Sequence, residues 1–122
     1  MATVRYLVHD VDTCLPFYEA LGFTLSERWG TPFAMVSRAD LTLWLAGPGT
    51  SAQRPLTDGR QPAPGGWNRL VIEVDDLDAT MAALAPHGAA FRSPPVSGPG
   101  GRQVLVDDPS GNPIELFEAG GG

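Results

Sequence analysis

Two stretches of the chain repeat one pattern, and this internal repeat constrains the fold more than any other feature of the sequence. Residues 8–12 read Val-His-Asp-Val-Asp, and residues 74–78 read Val-Asp-Asp-Leu-Asp. Each stretch follows or ends a short β-rich run, at residues 4–8 and 70–74, and each precedes a segment with the apolar spacing of a helix. A strand that leads into a helix, twice in one chain, predicts two copies of one supersecondary unit.

Both predicted helices are bounded by residues that cap or break helices. Asp12 and Asp78 are the predicted N-caps, because a carboxylate there accepts hydrogen bonds from the unpaired N–H groups of the first turn. Gly22 ends the first helix, and Pro86 and Gly88 end the second.

Three further strands are predicted after each helix from apolar alternation. They fall at residues 23–28, 33–38 and 41–46 in the first half, and at residues 89–92, 102–107 and 113–118 in the second. Residues 97–101, Ser-Gly-Pro-Gly-Gly, form a hairpin turn or a flexible rim, with only a weak likeness to an anion-binding loop.

The sequence thus predicts an α+β fold of two βαβββ modules that form a cup-shaped mixed sheet. The modules are residues 1–46 and 67–119, within one domain that spans residues 1–122. Residues 47–66 are rich in Gly and Pro and lack periodicity, so they are a linker or a lid.

Charge and cysteine content narrow the classes of function. The net charge of −6 argues against nucleic acid and anionic membranes as main partners, and it weakly favours cationic ligands. No apolar run approaches the length of a membrane span, and the N-terminal residues lack a signal-peptide pattern. Cys14 is the single cysteine, which excludes an internal disulfide and suits a reducing compartment. We therefore expect a cytoplasmic protein.

The first repeat and the tail together resemble the vicinal oxygen chelate superfamily. The resemblance is carried by Val-His-Asp-Val-Asp, by Phe-Tyr-Glu-Ala-Leu-Gly-Phe at residues 17–23, and by Asp-Pro-Ser-Gly-Asn-Pro-Ile-Glu-Leu at residues 108–116. This superfamily includes glyoxalase I, fosfomycin resistance proteins, extradiol dioxygenases and bleomycin resistance proteins. The resemblance implies two βαβββ modules that curl into a cup, usually completed in a homodimer. It does not select a reaction, because the fold hosts unrelated activities.

The resemblance also implies where a divalent metal would be bound. Its metal enzymes carry ligands on inward positions of the first, fourth, fifth and last strands. In this sequence these positions fall on Thr3; on Thr42, Leu43 or Trp44; on Arg69, or Asn68 if the register slips; and on Glu115. Only Glu115 is a ligand of the family's type.

Arg69 and Glu115 instead suggest an ion pair at the position of the family's metal. A guanidinium stays protonated and would repel a cation, whereas it would form a charge-assisted, even bidentate, pair with a carboxylate. The alternative is that Arg69 reaches solvent and Glu115 faces water. We therefore predict no metal and no other cofactor, with a divalent ion such as Zn, Ni, Mn or Fe as the alternative.

The two histidines lie outside the positions that the resemblance assigns to ligands. His9 follows the first strand and is expected to be solvated or bonded to the backbone, although its ordinary pKa would suit a general base. His87 lies in the turn after the second helix, where a surface role is expected.

Strand alternation predicts which side chains of the first, fourth and fifth strands line the cup, and the resemblance implies the inward parity of Gln103 and Leu105 in the seventh strand. Aromatic faces there suit planar or cationic ligands, although each tryptophan could instead close the core or a dimer seam. The predicted ligand-binding residues are Arg5, Trp29, Phe33, Trp44, Trp67, Arg69, Gln103, Leu105 and Glu115.

The favoured function is a metal-independent small-molecule-binding protein. It would sequester an antibiotic or another partly aromatic natural product, as bleomycin resistance relatives do. The alternatives are an enzyme, either a glyoxalase-type lyase or isomerase or a dioxygenase, with an atypical metal site or without a metal, and an accessory domain without a ligand. No catalytic residue is assigned. The expected partners are a small molecule and a second copy of the chain.

Overall fold

The computed structural model describes residues 2–120 and contains nine strands and two α-helices within them. The first half contains β1 (Ala2–Leu7), α1 (Val11–Ala20), β2 (Thr24–Trp29), β3 (Phe33–Arg38) and β4 (Leu41–Ala46). The second half contains β5 (Leu70–Glu73), α2 (Leu77–Leu84), β6 (Ala90–Phe91), β7 (Val96–Gly98), β8 (Gly101–Asp107) and β9 (Pro113–Ala119). Short 3₁₀ turns occupy Ser51–Gln53 and Ala85–His87.

The two halves build two mixed sheets on the same plan. The order of the first sheet is β1-β4-β3-β2, with β1 parallel to β4 and the other pairs antiparallel. The order of the second is β5-β9-β8-β6, with β5 parallel to β9. The predicted α+β fold class is therefore confirmed.

The outer strand of the second sheet is divided into two pieces. Both β6 and β7 pair with β8, and Pro94 and Pro95 lie between them. Proline has no N–H to donate to a ladder, so the pairing with β8 is interrupted there. The predicted turn at residues 97–101 is a tight hairpin, in which Gly98 pairs with Gly101.

The predicted N-caps were wrong by two residues in both helices. Asp10 accepts a hydrogen bond from the Thr13 N–H at 3.1 Å, and Asp76 accepts one from the Ala79 N–H at 3.0 Å. The chain is already helical from Val11 and Leu77, so Asp12 and Asp78 lie in the first turn of each helix. The first repeat offers two aspartates and the second offers three, and only the backbone conformation decides which one caps.

One core lies between the helices and one face of each sheet. Its fully buried side chains come from both halves and include Val8, Phe17, Tyr18, Leu43, Leu77, Leu84, Val104, Ile114 and Leu116. Alternate strand residues point to the other face of each sheet, away from this core. We call these faces the first open face, which carries Arg5, Phe33, Met35 and Trp44, and the second open face, which carries Val71, Gln103, Leu105 and Glu115.

Within residues 2–120, no helix combines the length and the apolar character needed to cross a membrane.

Candidate functional site

The first open face contains a cavity of about 370 Å³. Its volume lies within the range of small-molecule sites. Three aromatic rings and one charged side chain dominate its lining, which consists of Arg5, Trp29, Phe33, Met35, Trp44, Thr50 and Ser51.

Strand register brings the lining residues together. Trp44 on β4 lies between Arg5 on β1 and Met35 on β3, so the three side chains form one row across the sheet. Trp29 and Phe33 form the next pair, at the turn that joins β2 to β3. Directly opposed residues share a face of a sheet, so these positions project to one side.

The aromatic rings form a continuous wall. The ring centroids of Trp29 and Phe33 are 5.7 Å apart, and those of Phe33 and Trp44 are 6.0 Å apart in an edge-to-face arrangement. The guanidinium carbon of Arg5 lies 4.9 Å from the centre of the Trp44 ring, in cation–π contact. The wall therefore offers apolar ring surface with one positive charge at its β1 end.

The start of the segment between the two sheets forms another wall of the cavity. The Gln53 side-chain amide donates to the Val8 and Ala46 carbonyls at 2.8 and 2.9 Å, and the Thr50 hydroxyl donates to the Gly47 carbonyl at 2.7 Å. These bonds fix Thr50 and Ser51 beside the aromatic wall.

The second open face contains the ion pair between Arg69 and Glu115. The Arg69 Nη2 and Nε atoms lie 3.1 and 3.3 Å from the same oxygen of Glu115, so the pair is not the fork-to-fork form. Only 14 % of the Glu115 side chain is exposed, against 34 % for Arg69. The carboxylate is therefore compensated by a fixed positive charge.

The residues at the family's metal positions do not fit a divalent ion. Glu115 is occupied by Arg69, and the other positions offer no strong ligand. Thr3 pairs with Thr42, whose hydroxyl is 3.2 Å from that of Ser37. Within residues 2–120, no three His, Cys, Asp or Glu side chains are grouped as metal ligands.

Neither His9 nor His87 is among the residues that line the cavity. The His9 backbone N–H donates to the Ser110 hydroxyl at 2.8 Å, and the residue is exposed. His87 is exposed in the 3₁₀ turn after α2.

The predicted ligand-binding residues are divided between the two open faces. Arg5, Trp29, Phe33 and Trp44 line the cavity. Five others belong to the second half of the chain and are absent from its lining: Trp67, Arg69, Gln103, Leu105 and Glu115.

Trp67 takes part in a separate contact at the second sheet. The guanidinium carbon of Arg92 lies 4.5 Å from the Trp67 ring centre, and Arg92 Nε donates to Asp107 at 2.6 Å. One face of the Trp67 ring is therefore covered by a paired arginine, although 71 % of the residue is exposed.

Sequence reasoning missed three residues of the cavity, namely Met35, Thr50 and Ser51. Met35 could have been found from alternation, because Ala34 and Val36 are buried on the opposite face. Thr50 and Ser51 lie in a Gly- and Pro-rich segment without a periodic signal, so nothing local indicated their position.

Asp108 is the centre of a buried polar junction that the tail motif builds between the two halves. Its carboxylate accepts hydrogen bonds from the Tyr18 hydroxyl at 2.5 Å, the Ser110 N–H at 2.8 Å and the Asn112 N–H at 3.0 Å. Burial raises the pKa of Asp108 despite these bonds, and burial with the nearby Asp108 charge raises the pKa of Tyr18 well above its usual value.

Asn112 and Ser110 complete the junction. The Asn112 amide donates to the Leu7 carbonyl at 2.7 Å, and its oxygen accepts from the Gly65 N–H at 2.9 Å. The Ser110 hydroxyl lies 3.3 Å from the Cys14 sulfur, and burial raises the pKa of the Cys14 thiol to about 12. A thiol in this state is a poor nucleophile, so the junction holds the two halves together and offers no reactive group there.

The comparison with known families and structures agrees with this architecture. Residues 1–116 match the Glyoxalase/Bleomycin resistance protein/Dioxygenase superfamily. The match covers nearly the whole chain, so this protein belongs to that superfamily.

Among solved structures, the chain resembles TnmS3, an antibiotic binding protein from Streptomyces sp. CB03234. The two are 30% identical with a TM-score of 0.69, over 97% of this chain and 93% of the other. A glyoxalase/bleomycin resistance protein/dioxygenase family enzyme from Burkholderia phytofirmans PsJN has a TM-score of 0.80 at 17% identity, over 96% of both chains.

A third similar structure is the lactoylglutathione lyase from Agrobacterium tumefaciens. Its TM-score is 0.71 at 18% identity, over 97% of this chain and 92% of the other. At the identities of the Burkholderia and Agrobacterium proteins, the likeness shows the shared fold alone.

Proposed function

We propose that this protein is a metal-independent small-molecule-binding protein that sequesters an antibiotic or another partly aromatic natural product. The observation that carries the proposal is the aromatic cavity on the first open face, with Trp29, Phe33 and Trp44 in its wall. Ring surfaces of this kind hold planar apolar molecules by stacking and by exclusion of water.

The Arg69–Glu115 pair supports the metal-independent part of the proposal. A metal at Glu115 would have to displace a guanidinium 3.1 Å away and would gain no further His, Asp or Glu ligand at the aligned positions. The likeness to an antibiotic binding protein supports the ligand class, since that protein is 30% identical over nearly the whole chain.

Binding tests the proposal directly. Thermal-shift screening against aromatic natural products, including antibiotics, should give a saturable increase in the melting temperature for at least one compound, because a ligand that binds only the native state stabilises it. Mass spectrometry of the recovered compound should show it unchanged.

Trp44→Ala and Trp67→Ala form a matched pair of variants for this screen. Trp44 lines the cavity, whereas Trp67 lies at the second sheet under Arg92. Trp44→Ala should weaken binding at least about tenfold, since an aromatic contact of about 1.5 kcal/mol corresponds to that factor. Trp67→Ala should leave binding within about twofold. Equal losses in both variants would contradict the cavity as the site.

Two further measurements separate the alternatives. Stoichiometric Zn, Ni, Mn or Fe in protein purified without chelator would contradict the metal-independent proposal and favour an enzyme with an atypical metal site. Turnover of a bound compound without metal would favour a metal-independent lyase, isomerase or dioxygenase.

We also propose a cytoplasmic homodimer, and light scattering coupled to gel filtration checks the dimer.

A further inference from the structure

The lining of the cavity on the first open face includes one positively charged side chain and no negatively charged one. Arg5 is the only ionisable side chain among the residues that line it. Within residues 2–120, no salt bridge involves the Arg5 guanidinium, whereas Arg28, Arg69, Arg92 and Arg102 are all paired with carboxylates. Arg5 therefore carries hydrogen-bond donors that the fold leaves for another acceptor.

Glu27 carries a carboxylate in the same row of residues across the first sheet as Arg5, but the two residues lie far apart. Glu27 on β2 is opposite Met35, which is opposite Trp44, which is opposite Arg5. Three strand spacings separate Glu27 from Arg5, or about 14 Å between backbones. At this distance in water, Glu27 neutralises little of the Arg5 charge.

The contact between Arg5 and Trp44 acts against a cationic ligand. Arg5 already occupies the cation–π position over the Trp44 ring, at 4.9 Å. A second cation on that ring face would meet a like charge at close range, whereas an anion would complete a charge-assisted hydrogen bond with the guanidinium. The planar guanidinium also matches the two oxygens of a carboxylate.

We propose that the ligand of this cavity is a planar aromatic anion, with its carboxylate or phenolate on Arg5 and its ring on the aromatic wall. The inference rests on the proposed binding function and adds the chemical class of the ligand. Ser51 in the cavity lining supplies a hydroxyl for a second polar group of the ligand, and the Thr50 hydroxyl, which donates to the Gly47 carbonyl, can accept from such a group. The local charge of the cavity, rather than the net charge of −6, determines the preference.

Three naphthalene derivatives that differ only in charge test this assignment. The probes are 2-naphthoate, 2-naphthamide and 2-(aminomethyl)naphthalene in its protonated form, with affinities measured by calorimetry and by quenching of tryptophan fluorescence. The naphthoate should bind at least about tenfold more tightly than the amide, and the ammonium compound should bind most weakly, as one charge-assisted hydrogen bond predicts. The ratio of the affinities for naphthoate and naphthamide should become smaller as salt is added.

Arg5→Gln and Glu27→Gln are matched variants, because each removes one charge from the same face and keeps an amide. Arg5→Gln should weaken naphthoate binding about tenfold and leave naphthamide binding within about twofold, so that the preference for the anion disappears. Glu27→Gln should change neither affinity by more than about twofold. Both variants should keep the circular dichroism spectrum and melting behaviour of the parent, since both positions are exposed.

The outcomes distinguish failure of this inference from failure of the proposed function. If naphthamide or the ammonium compound binds as tightly as naphthoate, and Trp44→Ala weakens them all, the cavity binds aromatic molecules but the anion assignment is wrong. If the preference for naphthoate survives Arg5→Gln, the assignment is likewise wrong. If none of the three probes binds, both the inference and an aromatic-binding cavity are contradicted.

Discussion

The two open faces come from the same structural plan but differ in how their charges are satisfied. On the first, Arg5 is unpaired within residues 2–120 and lies over Trp44 in an aromatic cavity. On the second, the arginine Arg69 is paired with Glu115, and the cavity on the first face includes no residue of this sheet. An arginine over an aromatic ring remains available to an anion, whereas an arginine that is already paired with a carboxylate does not.

The comparison also shows how one fold carries different side-chain chemistry in its two halves. Both faces are formed by alternate residues of a four-strand core with a parallel pair at β1–β4 or β5–β9. The hydrogen-bonded frame is therefore common to both, and the side chains that project from it decide whether the arginine of a face is paired with a carboxylate.

The largest expected loss of stability follows from removing the centre of the junction that joins the two halves. Asp108→Ala would leave the Tyr18 hydroxyl and the N–H groups of Ser110 and Asn112 without their acceptor. Several buried donors without partners should lower the free energy of unfolding by roughly 4 kcal/mol. Asp107→Ala, which removes only the partner of Arg92, is the control and should cost about 1 kcal/mol. Urea unfolding measures both, and similar losses would mean that the junction does not couple the halves.

The hairpin turns of the two sheets should respond differently to the same substitution. A Cβ at Gly101, where φ is +146°, would overlap the Glu118 carbonyl oxygen, whereas one at Gly30, where φ is +69°, would meet only the Pro32 ring at 3.3 Å. Gly101→Ala should therefore cost about 3 kcal/mol and Gly30→Ala about 1 kcal/mol. Chemical denaturation gives both values, and a Gly30→Ala loss equal to that of Gly101→Ala would contradict the close approach in the second sheet.

Breaking the ion pair makes the second open face resemble the first, with a charge left unpaired. Arg69→Ala leaves Glu115, with 14 % of its side chain exposed, uncompensated, and should cost about 1 to 2 kcal/mol. Adding Glu115→Leu to Arg69→Ala should recover part of this loss, because the unpaired charge is then gone. The control is Arg102→Ala on the same sheet. Arg102 pairs with the exposed Asp78 and lies 3.9 Å from Glu118, and the loss of these solvent-screened contacts should change the free energy of unfolding little. An Arg69→Ala loss no larger than this control would show that the pair is fully hydrated.

The last expected effect concerns the Cys14 thiol of the junction and appears only in alkaline solution. Burial raises the pKa of Cys14 from 9.0 to about 12, so the native state holds the thiol proton more tightly than the unfolded chain does. The resulting stability is fully present below pH 9 and is lost as the pH rises from 9 towards 12. Melting temperatures between pH 7 and 11 should therefore fall less steeply for Cys14→Ala than for the parent protein. Parallel curves of melting temperature against pH for the two proteins would contradict a raised pKa of the Cys14 thiol.

Several features of the fold and the site could be predicted from the sequence because they depend on local patterns. Period-two alternation predicted the strands and the faces of Arg5 and Trp44, since successive side chains of a strand must point to opposite sides. The face of Leu105 was predicted from the family resemblance. The pairing of Arg69 with Glu115 was predicted from the positions that the family resemblance assigns to metal ligands, and from the attraction between a guanidinium and a carboxylate. Arg69 lies one residue before β5 and still reaches Glu115 on β9.

Other features depended on conformation that no local pattern encodes. Alternation could not choose between Asp10 and Asp12 as the cap, since the two differ in sequence by only two positions and the backbone dihedral angles decide. The short strand β7 was not predicted, because its pairing depends on β8, which follows later in the chain.

The sequence by itself determined the fold class, the two-module plan and the parity of the side chains, because each of these depends on periodicity and on residue chemistry within a few positions. Only the tertiary structure decided how the cavity on the first open face is formed. That outcome required the Gln53 bonds that place Thr50 and Ser51 beside the aromatic wall, and a position for Arg5 over Trp44 away from carboxylates. These contacts join residues distant in the chain, and their energies exist only once the chain has folded.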